Sequence, residues 1–143
     1  MTETYMPTKV TVAWNGIPIS GYAPDTFIEA ERNNDAFNLV VGSGGEGARA
    51  GSGDKSGIVT LTLLQTSATN AALTAAALLD ENSGDGIGPL AVVDLSGQDV
   101  VKAEKAWIRK RPNAAYANTI QNREWVFETA NLEILVAGNV RPE

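Results

Sequence analysis

The sequence predicts a mainly β fold, a two-sheet β-sandwich or open barrel with one packed α-helix over about residues 68–80 and a long glycine-rich arm over 42–57. Three observations predict it. Apolar residues alternate with polar ones in short runs that are separated by turn signals. Only one stretch, NAALTAAALLD, is rich in Ala and Leu and free of Gly and Pro. Residues Gly42 to Gly57 carry seven glycines in sixteen positions between two β-forming runs, so that stretch is not a core element.

The first strand is Val10, Val12 and Trp14 alternating with Lys9, Thr11 and Ala13. Asn15-Gly16 turns it back, since both positions of the favoured two-residue hairpin turn need positive φ. Ile17, Ile19 and Gly21 continue the return strand, where Pro18 marks an edge or a bulge. A third run, Thr26 to Arg32, ends at Asn33-Asn34-Asp35, and a fourth, Phe37 to Val41, leads into the arm. Structureless loops beyond about 12–15 residues are uncommon in compact domains. Ordering sixteen residues costs on the order of 16–32 kcal/mol of backbone entropy. With only Ala48 and Ala50 as apolar side chains, the arm is read as a flexible flap, or as a segment ordered by a partner surface.

Ile58 to Leu64 is the most apolar strand and is expected to be the most central. Ser67 or Thr69 caps the helix, and the glycines at 84, 86 and 88 stop it. Leu73, Ala76, Ala77 and Asp80 share one side, with Leu78 and Leu79 broadening the apolar face. Leu90 to Leu95 is a strand that turns at Ser96-Gly97. Asp99 to Arg111 reads as helix or strand, and strand is favoured because Val101, Ala103, Lys105, Trp107 and Arg109 alternate with a more polar set. Pro112 to Gln121 is a loop. The last run, Arg123 to Ala137, changes apolar phase near Ala130, which predicts a bend or a strand serving two surroundings. No repeat or boundary divides residues 1–143, so one domain is expected.

Composition narrows the chemistry. Apolar residues at 43% and charged residues at 20% belong to a globular chain rather than a disordered one. No apolar run approaches the ~20 residues of a membrane span, and the N-terminus MTETYMPTK lacks a secretory pattern, so cytosolic synthesis is expected. With no Cys and no His, disulfides, thiolate chemistry and Cys/His metal sites are excluded, as is the commonest general base near neutral pH. Neither catalysis nor a cofactor is expected. A net charge of −6 argues against binding nucleic acid through phosphate neutralisation.

Gly51-Ser52-Gly53-Asp54-Lys55-Ser56 has the look of a phosphate-binding loop, but Asp54 precedes the Lys and a strand follows where that motif needs a helix. Lys102, Lys105, Arg109, Lys110 and Arg111 put five of eleven basic residues in ten positions. They read as an interface for an anionic partner or as a solvated strand face. Asp25, Glu29, Glu31 and Asp35 form an acidic cluster that reads as surface or as a source of field, with Glu29 and Glu31 on one strand face. Trp14, Trp107 and Trp125 read as core or interface anchors.

The order of these elements resembles tail tube proteins of contractile-tailed bacteriophages. The resemblance is carried by Gly16-Ile17-Pro18-Ile19-Ser20-Gly21-Tyr22 with Thr26-Phe27-Ile28, by FNLVVGSGGEGARAGSGDKSGIVTLTLLQTSATNAAL, and by Trp125-Val126-Phe127. It covers nearly the whole chain. It implies a virion protein, assembled in the host cytoplasm, whose hexameric rings stack into a hollow tube inside a contractile sheath. The implied partners are copies of itself, the sheath, a tape-measure protein, baseplate and tail terminator proteins, and DNA in transient, non-adhesive passage. Gly44, Gly45, Glu46, Arg49, Asp54 and Lys55 then belong to an arm reaching a neighbouring subunit or ring. Glu29 and Glu31 become candidates for the lumen wall, and Lys102, Lys105 and Arg109 for a basic interface. Six copies carry −36 charges per ring, a same-sign wall toward DNA phosphates. Two alternatives are the tube of a headless contractile injection system and a β-sandwich ligand-binding module.

Overall fold

The computed structural model describes residues 10–24, 27–95 and 99–136. The expectations for MTETYMPTK, for Asp25 and Thr26, for the Ser96-Gly97 turn and for Ala137 lie outside the described residues. The elements run β1 (Val10–Trp14), β2 (Ile17–Ile19), β3 (Ile28–Arg32), β4 (Phe37–Val41), β5 (Gly47–Gly51), β6 (Gly57–Leu64), α1 (Thr69–Ser83), β7 (Gly88–Asp94), β8 (Val100–Lys110), β9 (Asn122–Thr129) and β10 (Leu132–Leu135).

Two sheets result, and they are unequal. Eight strands form the body in the order β2-β1-β7-β8-β9-β6-β3 with β10 also on β8, while β4 and β5 form a separate two-stranded sheet. The body is open but strongly curled. β1 and β9 stand three strands apart, about 14 Å in a flat sheet. Yet the Trp14 and Phe127 rings meet edge to face at 5.2 Å, and Trp14 Nε1 donates to the Ala106 carbonyl at 3.0 Å. Beyond β2 the chain crosses at once to the other end of the sheet, where Leu64 N–H donates to Gly21 O at 2.8 Å and Ala23 N–H to Thr62 O at 3.0 Å.

The curl has a local cause in β8. Leu90 pairs with Ala103 but Gly88 pairs with Ala106, so β8 carries an extra residue there, and a second register shift lies between Ile108 and Lys110. Such bulges bend and twist a strand. They also break the simple alternation expected of Val101 to Arg109, because the buried residues of β8 are Ala103 and Ala106. The bend near Ala130 is present: β9 pairs β6 and β8, whereas β10 pairs β8 alone.

The turns and the helix stop follow their residues, and the helix start does not. Asn15 (φ 50°) and Gly16 (φ 79°) make the β1–β2 turn, and Pro18 lies on the edge strand β2. The helix runs three residues past the expected end and stops at Gly84, whose left-handed φ of 74° lets its N–H reach Asp80 O at 2.8 Å. Ala68, rather than the expected Ser67 or Thr69, occupies the N-cap, and no side-chain hydrogen bond caps the helix from that position. Ser67 Oγ accepts from Thr69 N–H at 3.3 Å and donates to Ser20 O at 2.6 Å, tying the helix start to the strand crossing.

Three placements differ from expectation. β6 lies next to edge strand β3 rather than at the centre, although Val59, Leu61 and Leu63 are fully buried. Its apolar look comes from Ile58 and Leu64, which stand half-buried on the outer face. Leu73 and Ala77 pack inward, but Leu78 and Leu79 remain exposed, because the 3.6-residue period rotates them off that side. The arm is not structureless. β5 forms within it and pairs with β4 from Phe37↔Gly51 to Val41↔Gly47.

Candidate functional site

The β4–β5 hairpin is exposed at every position. Phe37, Leu39, Val40 and Val41 are 52–73% accessible. Alternation puts Phe37, Leu39 and Val41 on one face and Val40, Ala48 and Ala50 on the other, so both faces are apolar. Gly47 and Gly51 supply flat ground beside Leu39 and Phe37, and the Arg49 guanidinium lies over the Phe37 ring at 4.1 Å. A lone two-stranded hairpin is marginally stable in water. The tip, Gly42 to Glu46, is closed by Gly42 N–H to Glu46 O at 2.8 Å, and Gly45 there has φ +83°.

The six arm residues singled out in the sequence divide into three places. Gly44, Gly45 and Glu46 are in the tip, Arg49 is in β5, and Asp54 and Lys55 sit in the hairpin base. The base is fastened to the body. Asp54 binds the Asn34 amide and accepts from Ser56 N–H at 2.9 Å, and Lys55 O accepts from Leu132 N–H at 2.8 Å. The Ser56 hydroxyl and backbone N–H, helped by Asn34, hold the Asp54 carboxyl below its ordinary range. The projecting part is therefore the hairpin, which begins in β4, before the first arm glycine, and ends at Gly51.

Glu29 and Glu31 are exposed on the outer face of β3. They are not alone there. Glu31, Ile58, Glu128 and Trp107 form one rung across four strands, Glu29, Thr60 and Val126 the next on the same face, and Thr62 pairs with Glu124 beyond it. Since Arg123, Trp125, Phe127 and Thr129 point inward, Glu124 and Glu128 face out with Glu29 and Glu31. Sequence reasoning missed this pair. The alternation of NREWVFET, with Trp125 and Phe127 as core, was the signal that could have found them.

The three basic candidates do not form one cluster. Lys102 pairs across the ladder with Glu133 of β10 and Ala91 of β7, and Lys105 sits at the bulge, with its carbonyl taking Ala130 N–H at 3.1 Å. Arg109 lies seven residues on from Lys102, its Nε 3.9 Å from Glu128. At ~3.3 Å per residue the end positions are over 20 Å apart. Arg109 instead borders a cleft of about 740 Å³ between α1, the end of β8 and the loop after it, floored by Gln65, Arg123 and Trp125. Within it Trp125 Nε1 donates to Asn70 Oδ1 at 2.9 Å, and Arg111 pairs with Glu81 at 3.4 Å. Arg123 is only 9% accessible. Its guanidinium donates to Ala115 O at 3.1 Å and Asn122 O at 3.3 Å and lies 5.3 Å from the Tyr116 ring.

Residues 17–137 match the family model described as bacteriophage PhiTE tail tube protein. "Structural protein ORF10" of Pseudomonas phage KPP10 is 30% identical over 146 residues, spanning 96% of this chain and 84% of that protein. Among solved structures, a chain of the extracellular contractile injection system PVC sheath–tube complex in its extended state superposes with a TM-score of 0.58 at 12% identity, covering 94% of this chain and 93% of that one. The tube-terminating cap of the anti-feeding prophage gives a TM-score of 0.57 at 10% identity, covering 96% and 94%. At those identities the likeness is one of fold.

Proposed function

The chain belongs to the bacteriophage PhiTE tail tube protein family, and from that premise we propose that it is the structural subunit of a tube of stacked hexameric rings that conducts DNA inside a contractile sheath. The observation that carries this reading is the β4–β5 hairpin, apolar on both faces and uncovered by its own body. Copies of the same chain are the cover such an element fits. Among the described residues β2 and β3 stand at the edges of the sheet, which points the same way, since joining copies removes edges.

The lumen wall in this reading is the outer face of β3, β6 and β9, with Glu29, Glu31, Glu124 and Glu128. Arg109 offsets part of that charge at Glu128. Carboxylates there repel phosphates over about 8 Å at physiological salt, so DNA slides along the wall without adhering. The chain contributes no chemistry, only shape and charge. A sheath outside, a tape-measure protein inside during assembly, and baseplate and terminator proteins at the ends complete the partners proposed for such a tube, a virion component built in the host cytoplasm. The test is electron microscopy of the purified chain across concentration. Rings or tubes with a hollow axis are expected, and monodisperse monomers at high concentration would refute the reading.

A further inference from the structure

The hairpin and the cleft occupy opposite ends of the body. β6 starts at Gly57, beside the hairpin base, and ends at Leu64, next to Gln65 in the cleft. Its partner β9 confirms the polarity, with Gly57 opposite Thr129 and Leu64 opposite Asn122. Eight residues at ~3.3 Å each separate the two ends by roughly 25 Å. A projection at one pole and a concavity at the other are the two halves of a head-to-tail contact, the kind that repeats into an open stack.

The charges are complementary as well. Arg123 is buried against two carbonyls, and no carboxylate lies within ion-pairing distance of it among the described residues. Lys110, exposed and lining the cleft, has no ion pair among the described residues either; of the two carboxylates that also line it, Glu81 pairs with Arg111 and Asp80 takes the Gly86 N–H. A buried cation without a counter-charge is costly. The hairpin tip offers one carboxylate, Glu46, on a turn kept thin by Gly42, Gly44 and Gly45, where a Cβ on Gly44 or Gly45 would meet nothing within 4 Å.

We propose that the hairpin tip of one copy seats in the α1–β8–β9 cleft of the copy stacked on it, with the Glu46 carboxylate supplying the counter-charge for Lys110 and Arg123. This rests on the tube reading and names the receiving site for its arm. The apolar hairpin faces then lie near the uncharged exposed side of α1, Ala71, Ala75 and Leu78.

The absence of native cysteine makes the test specific. Gly44→Cys and Asn113→Cys chains, both altered at exposed positions with Glu46 and Lys110 retained, are mixed, assembled and treated with a short bismaleimide. Covalent dimers that require both variants and assembled material are expected. Tubes of normal appearance with no mixed dimer would overturn the docking site and leave the tube intact, whereas failure of the parent chain to form rings or tubes overturns the tube reading itself. If the cysteine variants do not assemble, charge exchange decides. Glu46→Lys and Lys110→Glu should each raise the concentration needed for stacking about tenfold, and the double variant should restore it. Unchanged single variants, or no restoration, would overturn the proposal.

Discussion

Replacing Leu39 by Asp separates the stability of the subunit from its assembly. Leu39 is 73% accessible in the single chain, so its loss should cost the isolated fold no more than about 0.5 kcal/mol. Arg49 stands directly opposite it in the hairpin ladder, and a cross-strand ion pair recovers part of even that. In a tube that covers the hairpin the balance changes. Fully burying a Leu contributes about 1.5–3 kcal/mol, and nearly three quarters of this one is still available, or about 1–2 kcal/mol per subunit added. A carboxylate in the same place adds a desolvation penalty of a few kcal/mol. At 1.4 kcal/mol per tenfold, the concentration threshold for tube growth should rise by about two orders of magnitude. Thermal unfolding of the monomer and sedimentation across a concentration series measure the two quantities. An unchanged threshold would refute the hairpin as an interface. A melting temperature lowered by more than about 5 °C would mean that the hairpin packs on its own body.

Three further outcomes are expected. Gly57→Ala should destabilise the monomer by about 3 kcal/mol, near 10 °C in melting temperature, because the new Cβ would lie 2.7 Å from the Glu31 carbonyl and against the Leu132 side chain; a melt within 2 °C of the parent would contradict this. Glu29→Lys with Glu31→Lys should leave tube formation unchanged and slow DNA release from particles carrying it, and normal release would remove both residues from the lumen wall. Burial pushes the Tyr22 phenol up to about 12, opposed by a backbone hydrogen bond from Val12. The folded state thus holds its proton where the unfolded chain has lost it, so the stability this residue contributes is complete below pH 10 and is lost as pH rises toward about 12. Tyr22→Phe should flatten that alkaline decline in a denaturant titration, and an unaltered slope would show that other groups govern it.

Much of the body was legible because its signals were local. Asn15-Gly16, the Ala/Leu helix and the stop at Gly84 each depend on neighbours a few residues away. The illegible parts depended on distant pairing. Nothing in Val100 to Lys110 marks which residue is extra until β7 and β9 are placed beside it. Likewise, the arm's glycines read as slack when taken alone. They become flat ground for Phe37 and Leu39 only once β4 and β5 are paired. Glu124 and Glu128 needed Trp125 and Phe127 to be fixed as core before their face could be known. The cleft draws on α1, β8 and β9, which no window of sequence brings together.

The hairpin supplies no side chain to the core, which is built from the curled sheet and Leu73 of the helix. If the hairpin is the assembly contact, as proposed, folding and assembly draw on nearly separate sets of residues. That separation has a kinetic use, because a subunit can reach its own fold before any partner is met, while its incompleteness stays confined to an exposed ladder and an unpaired guanidinium at the opposite pole. Two poles of different shape also set direction. A head-to-tail contact has one free hairpin end and one free cleft end however long the stack becomes, so growth and termination need different partners at the two ends. A self-complementary patch would close into a pair and stop. If copies stack hairpin into cleft as proposed, the asymmetry of the single chain by itself gives the stack a polarity.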